Sequence, residues 1–358
     1  MMEPTVAGVE ARMVESARLT TRVLFAGPED GIPVLFLHGN LSSATWWEEN
    51  LDLGEGFLSI APDQRGYGDA DRGAKIDATR GMGDLADDAF ALMDTPGHDR
   101  FHLVGNSLGG SVVWWMMVMA PERILSVTQA APGSPYGFGG TRDVDGTPTT
   151  PDFAGTGAGL VNPEMVRRIA EGDDSTESPF SPRSALRALV WGPPFIPERE
   201  DALVAATLAV HVGEDGYPGD AGQSPHWPFV TPGTTGPNNG LSPAYPLDID
   251  GLVTIEPKPP ILWVRGSADL AVSDSAASDP GTWGPMGIVP GYPGADAYPP
   301  QPMVGQTRAV LDRYAANGGA YVEEVFEGNA HVPFIEDPGR FNRILLSHLQ
   351  ENGGKEQE

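Results

Sequence analysis

At 358 residues, with a formal charge of −27 and no cysteine, the chain excludes several kinds of protein at once. The acidic excess repels nucleic-acid phosphates and anionic membrane surfaces, the lack of thiols removes disulfides, thiolate metal sites and a cysteine nucleophile, and no apolar run approaches the ~20 residues of a membrane span. The length suits one α/β core with one insertion, and the first residues carry acids among the bases with no apolar block, so the reading is cytoplasmic, without a secretory leader.

In chain order, Ala11–Ala17 and Thr20–Ala26 read as a strand pair, followed by the buried-strand patterns Pro33–His38 (PVLFLH) and Leu58–Pro62. Gly83–Met93 has helical spacing. Phe101–Gly105 (FHLVG) is another apolar strand, Leu108–Met119 a helix apolar on nearly all sides, and Ile124–Ala130 a further strand. Runs this apolar, alternating with helices, describe a mostly parallel, doubly wound sheet buried on both faces.

At Pro132 the composition changes to Gly, Pro, Thr and Asp, and it stays so to Pro257. Residues 1–132 and 258–358 are therefore expected to form the core and 133–257 a cap. The cap is expected to be largely helical, with helices at Asn162–Glu171, Ser181–Val190 and Pro197–Val212; Asn162 supplies an N-cap and Pro163 a first-turn proline. The core resumes with the strand Ile261–Arg265 (ILWVR). Asp279–Pro302 is a second Pro/Gly-rich excursion, of a length usual for lids or mobile connectors. Helices Met303–Ala316 and Pro338–Gln350 flank the last strand, Tyr321–Phe326.

Gly105-Asn106-Ser107-Leu108-Gly109 fits G-x-S-x-G, and it stands between a buried strand and a helix, the context this turn requires. A serine hydroxyl is a poor nucleophile without a base in hydrogen-bond reach. Of the seven histidines, His331 in EGNAHVPF follows the last strand and precedes the final helix. That is where open α/β sheets place their sites. His348 reads as a surface residue of that helix. An acid to orient the imidazole belongs between Ser and His in the chain. Asp269 directly follows ILWVR, and Asp274 is the alternative on the same loop. The amides of Leu108, at the start of the helix, and of Asn40, after the PVLFLH strand, are candidate oxyanion donors. Trp46, Tyr136 and Phe334 are candidate pocket-lining aromatics.

Taken together, HGN at 38–40, DQRGYG at 63–68, GNSLGG at 105–110, GSAD at 266–269 and GNAHVPFIEDP at 328–338 resemble the α/β-hydrolase superfamily in its HG-x class. The resemblance implies an eight-stranded sheet, a cap inserted after the sixth strand and no cofactor or metal. Asp69 stands where the family usually has Ser, a change expected to be tolerated, and the Asp269 to His331 separation is about twice the family norm. A serine at 107 differs from the aspartate of related dehalogenases and epoxide hydrolases. The expectation is a carboxylesterase or lactonase acting on a small-molecule ester. The alternatives are a carbon–carbon bond hydrolase of the same fold and a ligand-binding, receptor-like protein that retains the triad.

Overall fold

The apolar runs that stop at glycine, proline or aspartate become the strands of one sheet. In the computed structural model, which describes residues 2–353, these are β1 (Glu10–Glu15), β2 (Thr20–Ala26), β3 (Ile32–Leu37), β4 (Phe57–Pro62), β5 (Phe101–Ser107), β6 (Ile124–Pro132), β7 (Ile261–Gly266) and β8 (Tyr321–Phe326). Their spatial order is β1-β2-β4-β3-β5-β6-β7-β8. β1 and β2 pair antiparallel, as do β2 and β4, and every later pairing is parallel.

Val34–Leu37 and Phe101–Val104 are fully buried, because helices cover both faces of a parallel sheet. On one face α1 (Gly83–Asp94) and α2 (Leu108–Met119) contribute Leu85, Val112 and Met116 to a continuous apolar cluster. On the other face Trp47, Phe334, Phe341 and Leu345 form a second cluster. The chain leaves β3 to pair β4 on one side and reaches β5 on the other. The carboxyl ends of β3 and β5 therefore flank the topological switch point, where such sheets open a crevice.

Between β6 and β7 no residue joins this sheet. The segment forms α3 (Pro163–Ala170), α4 (Pro182–Leu189), α5 (Glu200–Leu208), α6 (Pro237–Gly240) and α7 (Ile249–Thr254), with two short strand pairs, Val212–Gly213 with Tyr217–Pro218 and Ala221–Gln223 with Val230–Pro232. It is less helical than expected. The third expected helix stops at Leu208, and the chain turns so that the His211 amide donates to the Gly66 carbonyl (2.9 Å). The Asn162 side chain does cap α3, accepting from the Glu164 amide.

The 279–302 excursion contains α8 (Pro280–Trp283) and docks on this insertion rather than running free. Trp227 meets Trp283, Tyr292 and Tyr298 with ring centroids 5.5, 5.0 and 5.0 Å away. The Tyr298 hydroxyl donates to the Ala154 carbonyl, and Gln301 bonds the backbone of both Gly137 and Gly139. Burial pushes the Asp279 carboxyl up to about 6, although it accepts from the Gly281 and Gln301 amides. The chain then enters α9 (Met303–Ala316), β8, α10 (Pro333–Glu336) and α11 (Pro338–Asn352). On α11, His348 is half-buried, not a surface residue: its ring contacts the Val127 carbonyl at 3.2 Å, and burial lowers its pKa.

Candidate active site

Ser107 ends β5 and begins α2 with φ 53° and ψ −116°, a left-handed backbone that a residue with a side chain adopts only under constraint. The constraint is packing by glycines. A Cβ at Gly109 would fall 2.1 Å from the Leu37 carbonyl oxygen, and one at Gly105 would fall 2.7 Å from the Gly109 oxygen. The turn is thus as tight as β3 and α2 permit. The Asn106 side chain donates to the Ala130 carbonyl and the Gly133 amide to the Ser107 carbonyl, which fixes the turn against β6.

The His38–Leu41 loop lies directly beside the serine: a Cβ at Gly39 would be 3.1 Å from Ser107 Cβ. His38 is buried, and burial pushes its pKa down to about 4. It is neutral at pH 7. Its Nε2 accepts from the Gln64 amide (3.0 Å), so Nδ1 carries the proton and donates to the Gly39 carbonyl (2.8 Å). This ring is a brace for the loop. The Asn40 amide donates to no protein group among the described residues, and the Leu108 amide, first in α2, is one of those a helix leaves without an internal acceptor. Leu108 directly follows Ser107, and Asn40 directly follows Gly39.

His331 and Asp269 come together on the loops after β8 and β7, with Nδ1 to Oδ2 at 2.9 Å and both side chains buried. Asp269 Oδ1 also accepts from the amides of Ala271 and Val272 at 2.7 and 2.9 Å, which hold the carboxylate in place. Asp274 is used differently: its Oδ1 accepts from Val304 and Gly305 at the start of α9. The long separation between Asp269 and His331 is absorbed by the docked excursion.

Two of the three candidate pocket aromatics are core residues instead. The Trp46 ring lies 5.9 Å from that of Trp191 and its Nε1 donates to the Leu203 carbonyl, while Phe334 stacks on Trp47 at 4.0 Å. Apolar character alone did not separate lining from filling. Tyr136 lines a shallow cleft with Ser111, Trp115 and Tyr245, on the flank of α2; its lining does not include Ser107 or His331.

Glu336 was not singled out by sequence. Its carboxylate accepts from the amides of Ala330 (2.8 Å) and Gly192 (3.1 Å), and burial pushes it up. With the His331 amide donating to the Val190 carbonyl (3.0 Å), it ties the histidine loop to the insertion. Its place in the HVPFIEDP motif was the available signal. Beneath the site, Asp63 accepts from Arg22 Nε (2.9 Å) and Nη2 (3.0 Å) and from the amides of Ala44 and Asp69. Position 69 contributes its side chain as well as its backbone: the Asp69 carboxylate accepts from the Met2 amide (2.6 Å) and lies 4.0 Å from Arg22 Nε.

Residues 32–159 match the family model described as alpha/beta hydrolase fold. The AB hydrolase superfamily protein YfhM of Bacillus subtilis is 32% identical over 119 residues, 33% of this chain and 41% of that protein. Carboxylesterase YbfK of the same organism is 25% identical over 183 residues, 51% of this chain and 59% of that one. The chain therefore spans about two-fifths of the length of the first curated relatives it matches. Among solved structures, a serine hydrolase from Cycloclasticus zankles superposes with a TM-score of 0.60 at 16% identity, covering 98% of this chain and 100% of that one. The likeness at that identity is one of fold.

Proposed function

The chain is a member of the α/β-hydrolase superfamily, and on that premise we propose that it is a serine hydrolase cleaving a carboxylic ester or lactone through an acyl-enzyme on Ser107. The observation that carries this reading is the His331–Asp269 pair, 2.9 Å apart, on the same edge of the sheet as the strained serine turn. In this reading residues 133–257 act as a cap over the core, and the substrate is a small molecule.

The reaction runs in two halves. His331 Nε2 takes the Ser107 hydroxyl proton as Oγ attacks the carbonyl carbon, while Asp269 holds Nδ1–H and stabilises the imidazolium. Negative charge that develops on the carbonyl oxygen is met by the Asn40 and Leu108 amides, the latter assisted by the positive end of α2. The tetrahedral intermediate collapses, the proton on His331 passes to the leaving alcohol, and Ser107 keeps the acyl group. Water then attacks the acyl carbon with His331 again as base, releasing the acid and restoring the serine.

The test is turnover of p-nitrophenyl acetate and butyrate, with fluorophosphonate labelling of the protein. Ser107→Ala is expected to lower kcat by at least about 10³-fold and to abolish labelling. Undiminished turnover in that variant removes the mechanism.

A further inference from the structure

The residue whose amide serves as oxyanion donor in this mechanism is gripped from both the core and the insertion. Leu41, directly after Asn40, has φ 53°. Such backbone is costly in a residue with a side chain and persists only where its surroundings over-determine it. Three hydrogen bonds on the Asn40 side chain do so. Its Oδ1 accepts from the Leu41 amide at 3.0 Å and from the buried Tyr67 hydroxyl at 2.8 Å, and its Nδ2 donates to Asn238 Oδ1 at 3.1 Å. Tyr67 and Leu41 belong to the core. Asn238 lies on α6, 198 residues away along the chain.

Asn238 is presented by a fixed support. The next residue, Asn239, accepts through Oδ1 from the amides of Ala158 (2.9 Å) and Gly233 (3.1 Å) and donates through Nδ2 to Asp220 and to the Thr235 carbonyl. The chain just before it is tied twice to the core loop before α1: the Ala78 amide donates to the Thr234 carbonyl (2.9 Å) and the Gly236 amide to the Ile76 carbonyl (3.2 Å). A side chain held at both polar ends does not turn about its Cα–Cβ bond, so the peptide plane that bears its own amide is restrained with it.

We propose that Asn238 is a positioning residue: through the Asn40 side chain it fixes the Asn40 backbone amide, so that the insertion sets the geometry of the oxyanion donor. The proposal rests on the serine-hydrolase reading. Asn238 touches neither substrate nor nucleophile in this scheme, and its effect is confined to the step in which charge builds on the carbonyl oxygen.

A double-mutant cycle tests it, with Asn238→Ala, Asn40→Ala and the double variant compared for kcat, KM, rate of fluorophosphonate labelling and melting temperature. Asn238→Leu, of similar shape but without an acceptor, repeats the measurement with packing kept. Loss of positioning is expected to lower kcat about tenfold, a fraction of the 10²–10³ lost when a donor itself is removed, with KM changed by less than about twofold. In the Asn40→Ala background, removing the Asn238 side chain is expected to change nothing further. Unchanged kcat and labelling in both single Asn238 variants, or losses that add in the double variant, overturn the proposal while the wild type still reacts. A wild-type protein that neither turns over esters nor takes the label overturns the serine-hydrolase reading, and the positioning role with it.

Discussion

From β3 to β6 the backbone bonds to neighbouring strands and the side chains between are apolar, so that Val34, Phe36, Phe101 and Val104 are fully buried with no polar partner to find. In residues 133–257 and 279–302, on either side of β7, there is little ladder, and polar side chains take its place. Asn239 alone bonds five groups, Asp220 accepts from Thr234, Thr235 and Asn239, and Gln301 with Gln306 links Gly137, Gly139, Ser134 and Thr141. The difference lies in how strain is shared. A ladder spreads its bonds over many backbone groups, whereas a polar hub concentrates them in one side chain.

The largest effect that sharpens the contrast lies where the regions meet at the site. Asp269→Asn leaves the loop geometry but loses the charge that orients His331, and a fall in kcat of about 10⁴ is expected. Asp274→Asn, at the start of α9, is expected to cost activity little. Steady-state ester hydrolysis distinguishes them, and equal losses would move the triad acid elsewhere on the loop. Next come two stability changes read by denaturant unfolding. Phe341→Ala empties a fully buried ring site beside Trp47 and Phe334 and is expected to cost about 3–5 kcal/mol. Asn239→Ala orphans the Ala158 and Gly233 amides and is expected to cost about 2–3 kcal/mol, with hydrogen exchange rising first in the insertion. Exchange that rose evenly across the sheet would erase the distinction between hub and ladder.

The smallest effect is the response to acid, and its sign differs between the regions. Burial pushes His38 down to about 4 and His102 to about 3, so their contribution to the core is complete above about pH 6.5 and is lost as pH falls toward those values. Asp279 is pushed up to about 6. Its contribution is complete below the ordinary carboxylate range near 4 and is lost as pH rises through 6, worth about 3 kcal/mol or less. Between pH 7 and 5, exchange protection of residues 279–302, corrected for intrinsic rates, is expected to rise while the global unfolding midpoint falls. Asp279→Asn should flatten the first trend and leave the second. Parallel movement of the two would contradict the assignment.

The sequence discloses the sheet far better than the insertion, for a physical reason. Strands β2 and β8 and helices α2 and α9 fall on the expected bounds, because burial on both faces leaves long apolar runs and a helix face leaves a period. Ser107, Asp269 and His331 stand out because each occupies a strand's carboxyl end beside a recognisable turn. The shortened helix at Glu200–Leu208 and the short strand pairs do not, since their order comes from distant partners such as Gly66 and Asp152 that leave no local pattern. Trp46 and Phe334 mislead for a related reason: an aromatic ring is equally at home lining a pocket or filling a core, and only packing decides. The Tyr67, Asn40 and Asn238 chain likewise joins three segments with no shared periodicity.

The two margins of the sheet carry a consequence of a different kind. β1 bears Glu10, Arg12 and Glu15, and on β8 Glu323 is held by Arg265 and Arg308 while Glu324 is held by Arg340. Any strand arriving from another molecule to extend the sheet along β8 would have to dislodge those guanidinium groups, and along β1 it would meet a row of alternating charges. In a chain as acidic as this one, fibril-like growth from either margin is opposed both by local pairing and by long-range repulsion, which leaves Met13 and Val322 exposed at those margins without making either of them a seed for aggregation.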